Sequence, residues 1–244
     1  MQVLVFDVWG DYAHFKKRYT TTSPLTYLIP PRTTISGLIS AIAGLQRGEY
    51  PEYFKRDKSK IGLQLLQSVK KTRLSMNLIS TKAEHLVNPP LVNYFKQHTI
   101  ISFEFLKDPK YRIYLYHAET EFFENLKSLL REHKSVYTPN LGLSQLICNF
   151  RFIGEFSVEE KKSTQFINIS SVLPIKSSLS NKLLTQVELE EGKNYALETL
   201  PAVMDSSRMV LEYEEVLIEK KGKTIKSIPD MYWELEDGTK IVPL

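Results

Sequence analysis

The sequence predicts an α+β fold: a modified ferredoxin-like βαββαβ domain with a projecting hairpin and a small β-rich C-terminal part. Three observations lead there. The chain opens on a nearly continuous apolar run, two later stretches carry apolar residues at helical spacing, and the remaining apolar segments are short and bounded by Gly, Pro or Asp. Their order is strand, helix, strand, strand, helix, strand.

Each element has its own signal. Gln2 to Trp9 is a nearly continuous apolar run with β-branched and aromatic residues, as expected for a central strand covered on both faces, and Gly10-Asp11 ends it. The polar segment Tyr12 to Tyr27 closes on Leu28-Ile29-Pro30-Pro31, where each proline forces its predecessor into extended backbone. Ile35, Leu38, Ile39, Ile42 and Leu45 then recur at helical spacing, with Thr33 or Thr34 as expected N-cap and Gly44 or Gly48 near the stop. Gly62 to Thr81 reads as strand-rich, and Lys82 to Gln97, with Asn88-Pro89-Pro90, as an extended loop or projecting hairpin. Thr99 to Leu106 and Tyr111 to His117 flank Lys107-Asp108-Pro109-Lys110 and predict a hairpin. Phe122, Phe123, Leu126, Leu129 and Leu130 mark a second helix from Glu119 to about Glu132. Leu146 to Phe156 is the last strand of the set, giving a domain over 1–156.

Residues 157–244 form the β-rich remainder. Ser157 to Gln165 reads as a connector, followed by strands at Phe166 to Val172, Leu184 to Leu189 and Arg208 to Glu219. The last of these is expected to pair with Thr224 to Ile228, and a final hairpin turns at Glu236-Asp237-Gly238-Thr239.

Composition narrows the class. Of 244 residues 42% are hydrophobic and 25% charged, which is ordinary for a globular chain able to bury a core. The single cysteine, Cys148, has no internal disulfide partner, and Met1 runs into Val3-Leu4-Val5-Phe6 without a basic leader, so a reducing cytoplasm is the expected location. No apolar run approaches the roughly 18 to 20 residues of a membrane span. Neither a dinucleotide glycine fingerprint nor a triphosphate loop occurs, no two histidines lie three to five residues apart, and no metal or cofactor is expected.

The net charge of +4 is unevenly spread. From Asp11 to Leu74 twelve Lys/Arg face four Asp/Glu, a balance of +8, whereas from Thr185 to Leu244 seven face thirteen, a balance of −6. A basic first third suits a polyanion, because each cation that neutralises a phosphate releases condensed counterions. The acidic end is expected to repel nucleic acid or to face a protein.

Within the basic third, Pro31-Arg32-Thr33-Thr34-Ile35-Ser36-Gly37 offers a helix N-terminus with hydroxyls, an arginine and no carboxylate, a setting that favours an anion. Just upstream, His14, Lys16, Lys17, Arg18, Tyr19 and Thr21 interleave the side chains that stack bases, neutralise phosphates and donate hydrogen bonds. Lys70, Lys71, Arg73 and Arg112 are further candidate cations on strands. The expected ligand is a nucleic-acid backbone, RNA first. Tyr111, Tyr114 and Tyr116 occupy the strand where an RNA-recognition domain displays stacking aromatics, but they lack its glycine-aromatic signature, so core packing is the stronger expectation. His14 and His117 are the residues a metal-independent ribonuclease would use for general acid–base transfer.

Gly10-x-x-Ala13-x-Phe15, Tyr19-Thr20-Thr21-Thr22-Ser23, Pro30-Pro31-Arg32-Thr33 and Ser36-Gly37-Leu38-Ile39-x-Ala41-Ile42-x-Gly44 together resemble the N-terminus of the CRISPR-associated Cas-five family. Asp108-Pro109-x-Tyr111-Arg112-Ile113-Tyr114 and Pro139-x-Leu141-Gly142-Leu143-Ser144 are similar to that family's later motifs, so the resemblance covers residues 1–156. It implies a repeat-associated (RAMP) ferredoxin-like fold in a subunit of type I Cascade, of the I-B branch, that grips the 5′ handle of the CRISPR RNA. It also implies a thumb-like insertion near 82–98, and as partners the backbone subunits and the large subunit, with target DNA near the PAM as a further candidate. The I-C relatives are ribonucleases that use a tyrosine beyond the glycine-containing helix turn with a lysine and a histidine. Here Ile39-Ser40-Ala41-Ile42-Ala43-Gly44 has no tyrosine and His117 follows Tyr116, so the resemblance implies a non-catalytic subunit.

Overall fold

The opening apolar run forms β1 (Gln2–Trp9), buried from Val3 to Val8. After the two-residue β2 (Tyr12–Ala13) come α1 (Arg32–Ala43), the short α2 (Tyr50–Tyr53), β3 (Ser59–Leu65), β4 (Lys71–Ile79), β5 (His98–Lys107), β6 (Lys110–His117), α3 (Thr120–Arg131) and β7 (Asn149–Lys161). The C-terminal part contributes β8 (Ile167–Ile169), β9 (Leu173–Ser177), β10 (Thr185–Glu188), β11 (Tyr195–Met204), β12 (Val210–Glu219), β13 (Ile225–Pro229), β14 (Tyr232–Leu235) and β15 (Lys240–Ile241). This computed structural model describes residues 1–20, 23–79, 98–177 and 185–244.

The central sheet runs β15-β14-β7-β1-β6-β3, with every neighbouring pair antiparallel. Its four middle and edge strands β7-β1-β6-β3, with α1 and α3, reproduce the expected ferredoxin-like order. One face packs Leu4, Phe6 and Val8 against Ile35, Ile39 and Ile42 of α1 and Phe122, Leu126 and Leu130 of α3. The other face packs Val3, Val5 and Tyr114 beneath Trp233, Leu235 and Ile241. Tyr111 and Tyr114 are therefore core residues; the Tyr114 hydroxyl hydrogen-bonds Gln64 Oε1 at 2.7 Å, and burial pushes its phenol up to about 12.

Four expectations about local structure are corrected. The N-cap of α1 is Pro31, in extended backbone at ψ 154°, with no side-chain cap, because the Pro30-Pro31 pair starts the helix at Arg32 before either threonine is reached. Gly44 does close it, with φ 85° and its N–H on Ser40 O at 2.8 Å. The segments 98–107 and 110–117 are strands but not a hairpin: β5 pairs with β4 and β2, while β6 enters the central sheet between β1 and β3. The reason is burial. Apolar β6 is mostly enclosed, β5 is exposed along much of its first half, and Asp108 at φ 50° turns the chain between sheets.

The expected connector at 157–165 is largely strand, since β7 continues to Lys161 to meet β14; its charged side chains pair across strands, as Lys161 does with Glu234 at 2.6 Å. Finally, β12 pairs with β11 and β9, and β13 with β10 and β8. The intervening β9 and β11, which carry weak periodicity, take the places expected for a simple 208–228 pairing. The thumb-like insertion expected near 82–98 lies, apart from His98, outside the described residues; the β4–β5 ladder leading to it, Lys71↔Leu106 through Ile79↔His98, is described. Among the described residues no helix is long and apolar enough to cross a membrane. Cys148 is buried, which pushes its thiol up to about 12.

Candidate nucleic-acid interface

The outward side of α1 forms the floor of a cleft of about 650 Å³, lined along the helix by Thr33, Thr34, Gly37 and Ala41. One wall is the segment His14 to Lys16 with Asn140, Gly142 and Leu143; the other holds Gln46, Arg47 and Tyr50, with Pro201, Met204 and Arg208. Two glycines shape it differently. Gly142 has φ 103°, and a Cβ there would lie 1.9 Å from His14 O, so only glycine fits. This contact, with His14 N–H on Leu141 O at 3.0 Å, seats the His14 segment against the 140–143 loop. Gly37 has no such need: a Cβ would meet Tyr50 Oη at 3.7 Å, an ordinary contact, and its absence leaves the floor open.

Of the residues expected at the site, the fold brings His14, Lys16, Thr33, Thr34 and Gly37 together. Lys16 is exposed and has no ion pair among the described residues. Lys17 turns away: its ammonium pairs with Glu198 on β11 at 2.6 Å and lies over the Tyr27 ring at 5.2 Å. Burial is the largest single influence and works against its charge, yet the hydrogen bond and negative charge of Glu198, together with Tyr19, outweigh it and raise the pKa. Glu198 also accepts Leu28 N–H at 2.7 Å, so one carboxylate ties down both ends of the 14–28 segment. Arg18 donates to Tyr213 Oη at 2.9 Å and stacks on that ring, and Tyr19 is 69% exposed. Thr21 lies outside the described residues.

Other expected contacts are placed elsewhere. Arg32 is only 3% exposed, and its guanidinium donates to Phe54 O, Ala202 O, Ser59 O and Ser59 Oγ at 2.8 to 3.2 Å. Its long side chain folds inward because those carbonyls, buried by the C-terminal sheet, have this donor and would otherwise lack it. Burial, with Arg56 nearby, lowers it to about 10. Ser36 is buried and donates to Arg32 O at 2.9 Å within the helix. Arg112 forks onto the buried Asp7 at 2.7 and 3.2 Å, and Lys71 pairs with Glu104 at 2.8 Å. Arg73 stands opposite Glu104 in the β4–β5 ladder, and Lys70 is exposed just before β4; neither lines the cleft.

The two histidines do not form a pair of catalytic groups in the cleft. His117 is not among its lining residues, and both ring nitrogens are occupied, Nε2 by Tyr53 O at 2.9 Å and Nδ1 by Glu119 N–H at 3.1 Å. Geometry thus puts the proton on Nε2. His14 is 1% exposed, contacts Glu104 O through Nδ1 at 2.7 Å and packs on Phe103 and Phe105. Burial lowers both pKa values. Among the described residues no three His, Cys, Asp or Glu side chains converge on a point that would hold a metal.

Sequence reading missed Arg47, Tyr50, Tyr137, Asn140 and Arg208, all lining the cleft. The only available signals were a cation just past the Gly44 stop and the Asp205-Ser206-Ser207 turn before Arg208. Neither indicates where its side chain goes. The resulting cleft has three cations, Lys16, Arg47 and Arg208, without ion pairs among the described residues, two threonines, three tyrosines and no Asp or Glu in its lining. Such a surface suits a phosphodiester strand with unstacked bases.

No curated protein sequence matches the chain. Among solved structures it is similar over 100% of its length, and 99% of the other chain, to the crystal structure of a CRISPR protein from Archaeoglobus fulgidus, at TM-score 0.62 and 14% identity. It is also similar to a chain of a CRISPR RNA-guided surveillance complex, over 93% of this chain and 91% of that one, at TM-score 0.52 and 12% identity. At such identities the likeness speaks for the fold. Residues 3–133, more than half of the chain, match the family model described as CRISPR-associated protein (Cas_Cas5), and the chain belongs to that family.

Proposed function

We propose that this chain is a non-catalytic RNA-binding subunit of a type I CRISPR surveillance (Cascade) complex, of the I-B branch, that holds the 5′ handle of the guide RNA. The observation that carries this reading is the cleft beside α1, where, among the described residues, Lys16, Arg47 and Arg208 have no ion pair and no carboxylate lines the walls. Cations not neutralised by a carboxylate keep their full charge for a polyanion, whereas Lys17, Lys71 and Arg112 are held in ion pairs and Arg32 on buried acceptors of the fold. Family membership supports a CRISPR role, and the non-catalytic part of the reading is supported by the missing tyrosine in Ile39-Ser40-Ala41-Ile42-Ala43-Gly44 and by a His117 whose ring nitrogens are both occupied away from the cleft. In this reading residues 1–156, joined by Arg208 of the C-terminal part, grip the RNA in the cytoplasm, and the backbone and large subunits are the protein partners, the latter bringing target DNA near the PAM.

The test is binding of the full chain to a fluorescent single-stranded repeat RNA over a salt series. Lys16→Ala and Arg47→Ala should each weaken binding and reduce the salt slope by about 0.7. Slopes equal to wild type would reject the cleft. Cross-linking within the assembled complex should recover the repeat-derived 5′ handle, and its absence would reject the handle assignment. Repeat RNA incubated with the chain in EDTA should stay intact.

A further inference from the structure

The turn between β11 and β12 brings one residue of the acidic C-terminal third to the cleft. Arg208 has φ 64°, a left-handed conformation that a residue with a Cβ adopts at a cost and keeps only where its surroundings impose it. Asp205 imposes it here. The Arg208 N–H donates to Asp205 O at 2.9 Å, Asp205 N–H donates to Met209 O at 3.0 Å, and Met209 N–H donates to Asp205 Oδ1 at 2.8 Å. Glycine would occupy such a position at least cost, yet the sequence places an arginine there. Its side chain stands on the cleft wall beside Tyr50, with Arg47 near the same phenol.

We propose that Arg208 is a phosphate-binding residue of the cleft, presented by a turn that Asp205 closes, so that the acidic third completes a polyanion site begun by the basic third. This rests on reading the cleft as the RNA site. A guanidinium fork matches two oxygens of one phosphodiester, and with Lys16 and Arg47 nearby the chemistry fits successive phosphates of a single strand.

The experiment uses the full chain and fluorescent single-stranded repeat RNA, with melting temperature measured in parallel. Arg208→Gly, which removes the charge and relieves the backbone, should keep the melting temperature at or above wild type while affinity falls about tenfold and the salt slope drops by about 0.7. Asp205→Asn retains the acceptor for Met209 N–H and should preserve affinity. Asp205→Ala should weaken binding even though it removes a negative charge, an outcome that simple charge repulsion would reverse. Wild-type affinity in Arg208→Gly, with Lys16→Ala and Arg47→Ala both weakened, overturns the role of Arg208 and leaves the cleft standing. Wild-type affinity in all three overturns the cleft and this inference with it.

Discussion

Gly142 and His14 are in backbone contact so close that the space for a Cβ on Gly142 is taken by the His14 carbonyl oxygen, 1.9 Å away. The 140–143 loop therefore acts as a template for the segment carrying His14 and Lys16. Gly142→Ala combines a left-handed φ of 103° with a backbone clash and should destabilise the chain by about 3 kcal/mol or more. Urea unfolding measures this, and a loss below 1 kcal/mol would mean that the contact is readily relaxed.

Gly37 should behave in the opposite way. Its Cβ site is open to within 3.7 Å of Tyr50 Oη, and glycine inside a helix costs roughly 0.5–1 kcal/mol relative to alanine, so Gly37→Ala should stabilise α1 by about that amount. The added methyl narrows the cleft floor, so RNA affinity should fall while stability rises. Unchanged affinity would show that RNA does not approach α1 here.

The Lys17–Glu198 pair links the 14–28 segment to β11, and Glu198 also holds Leu28 N–H. Glu198→Ala leaves a half-buried ammonium and a buried N–H without partners and should cost about 2 kcal/mol. Because Lys17 is raised in the folded state, its contribution is present below the ordinary lysine value of 10.5 and is lost as pH rises through the folded value. Alkaline urea melts should show wild type and Glu198→Ala converging as the pH climbs.

Arg32 fills four buried acceptor positions on Phe54, Ser59 and Ala202. Arg32→Met should therefore destabilise by about 3–5 kcal/mol by orphaning those oxygens. The RNA salt slope of the remaining folded protein should equal that of wild type, since the side chain carries no phosphate. A reduced slope would show that it does.

Burial lowers both His14 and His117 below their ordinary value of 6.5, so the unfolded chain binds protons more readily than the folded one. Stability should then fall as pH drops below 6.5 towards the folded values, and be independent of these groups above it. His117→Gln should lose stability at neutral pH by breaking the Tyr53 and Glu119 contacts and show a shallower decline into acid. Equal slopes for variant and wild type would place the acid sensitivity elsewhere.

The ferredoxin-like order, both long helices, the Gly44 stop and the terminal Gly238 turn were legible in the sequence because each depends on local rules: periodicity, proline geometry and left-handed glycine. Pairing was less legible. Nothing local tells β5 and β6 to part at Asp108, since the choice depends on which sheet buries each strand. Part of the site could be read as well: His14, Lys16, Thr33, Thr34 and Gly37 line one cleft.

What the sequence determined by itself was a basic first third, an acidic last third and a helix entry free of carboxylates. Tertiary structure decided which charges remain available. Arg56 meets Glu212 and Glu214, Lys17 meets Glu198, and Arg112 meets Asp7, so much of the apparent charge segregation is internal neutralisation between distant segments. Leaving such charges buried without partners costs more than pairing them, which is why these cations are held on buried carboxylates rather than offered at the surface. Lys16, Arg47 and Arg208 stand on the walls of a cleft that no Asp or Glu lines among the described residues, and that placement is a property of three-dimensional structure that composition does not encode.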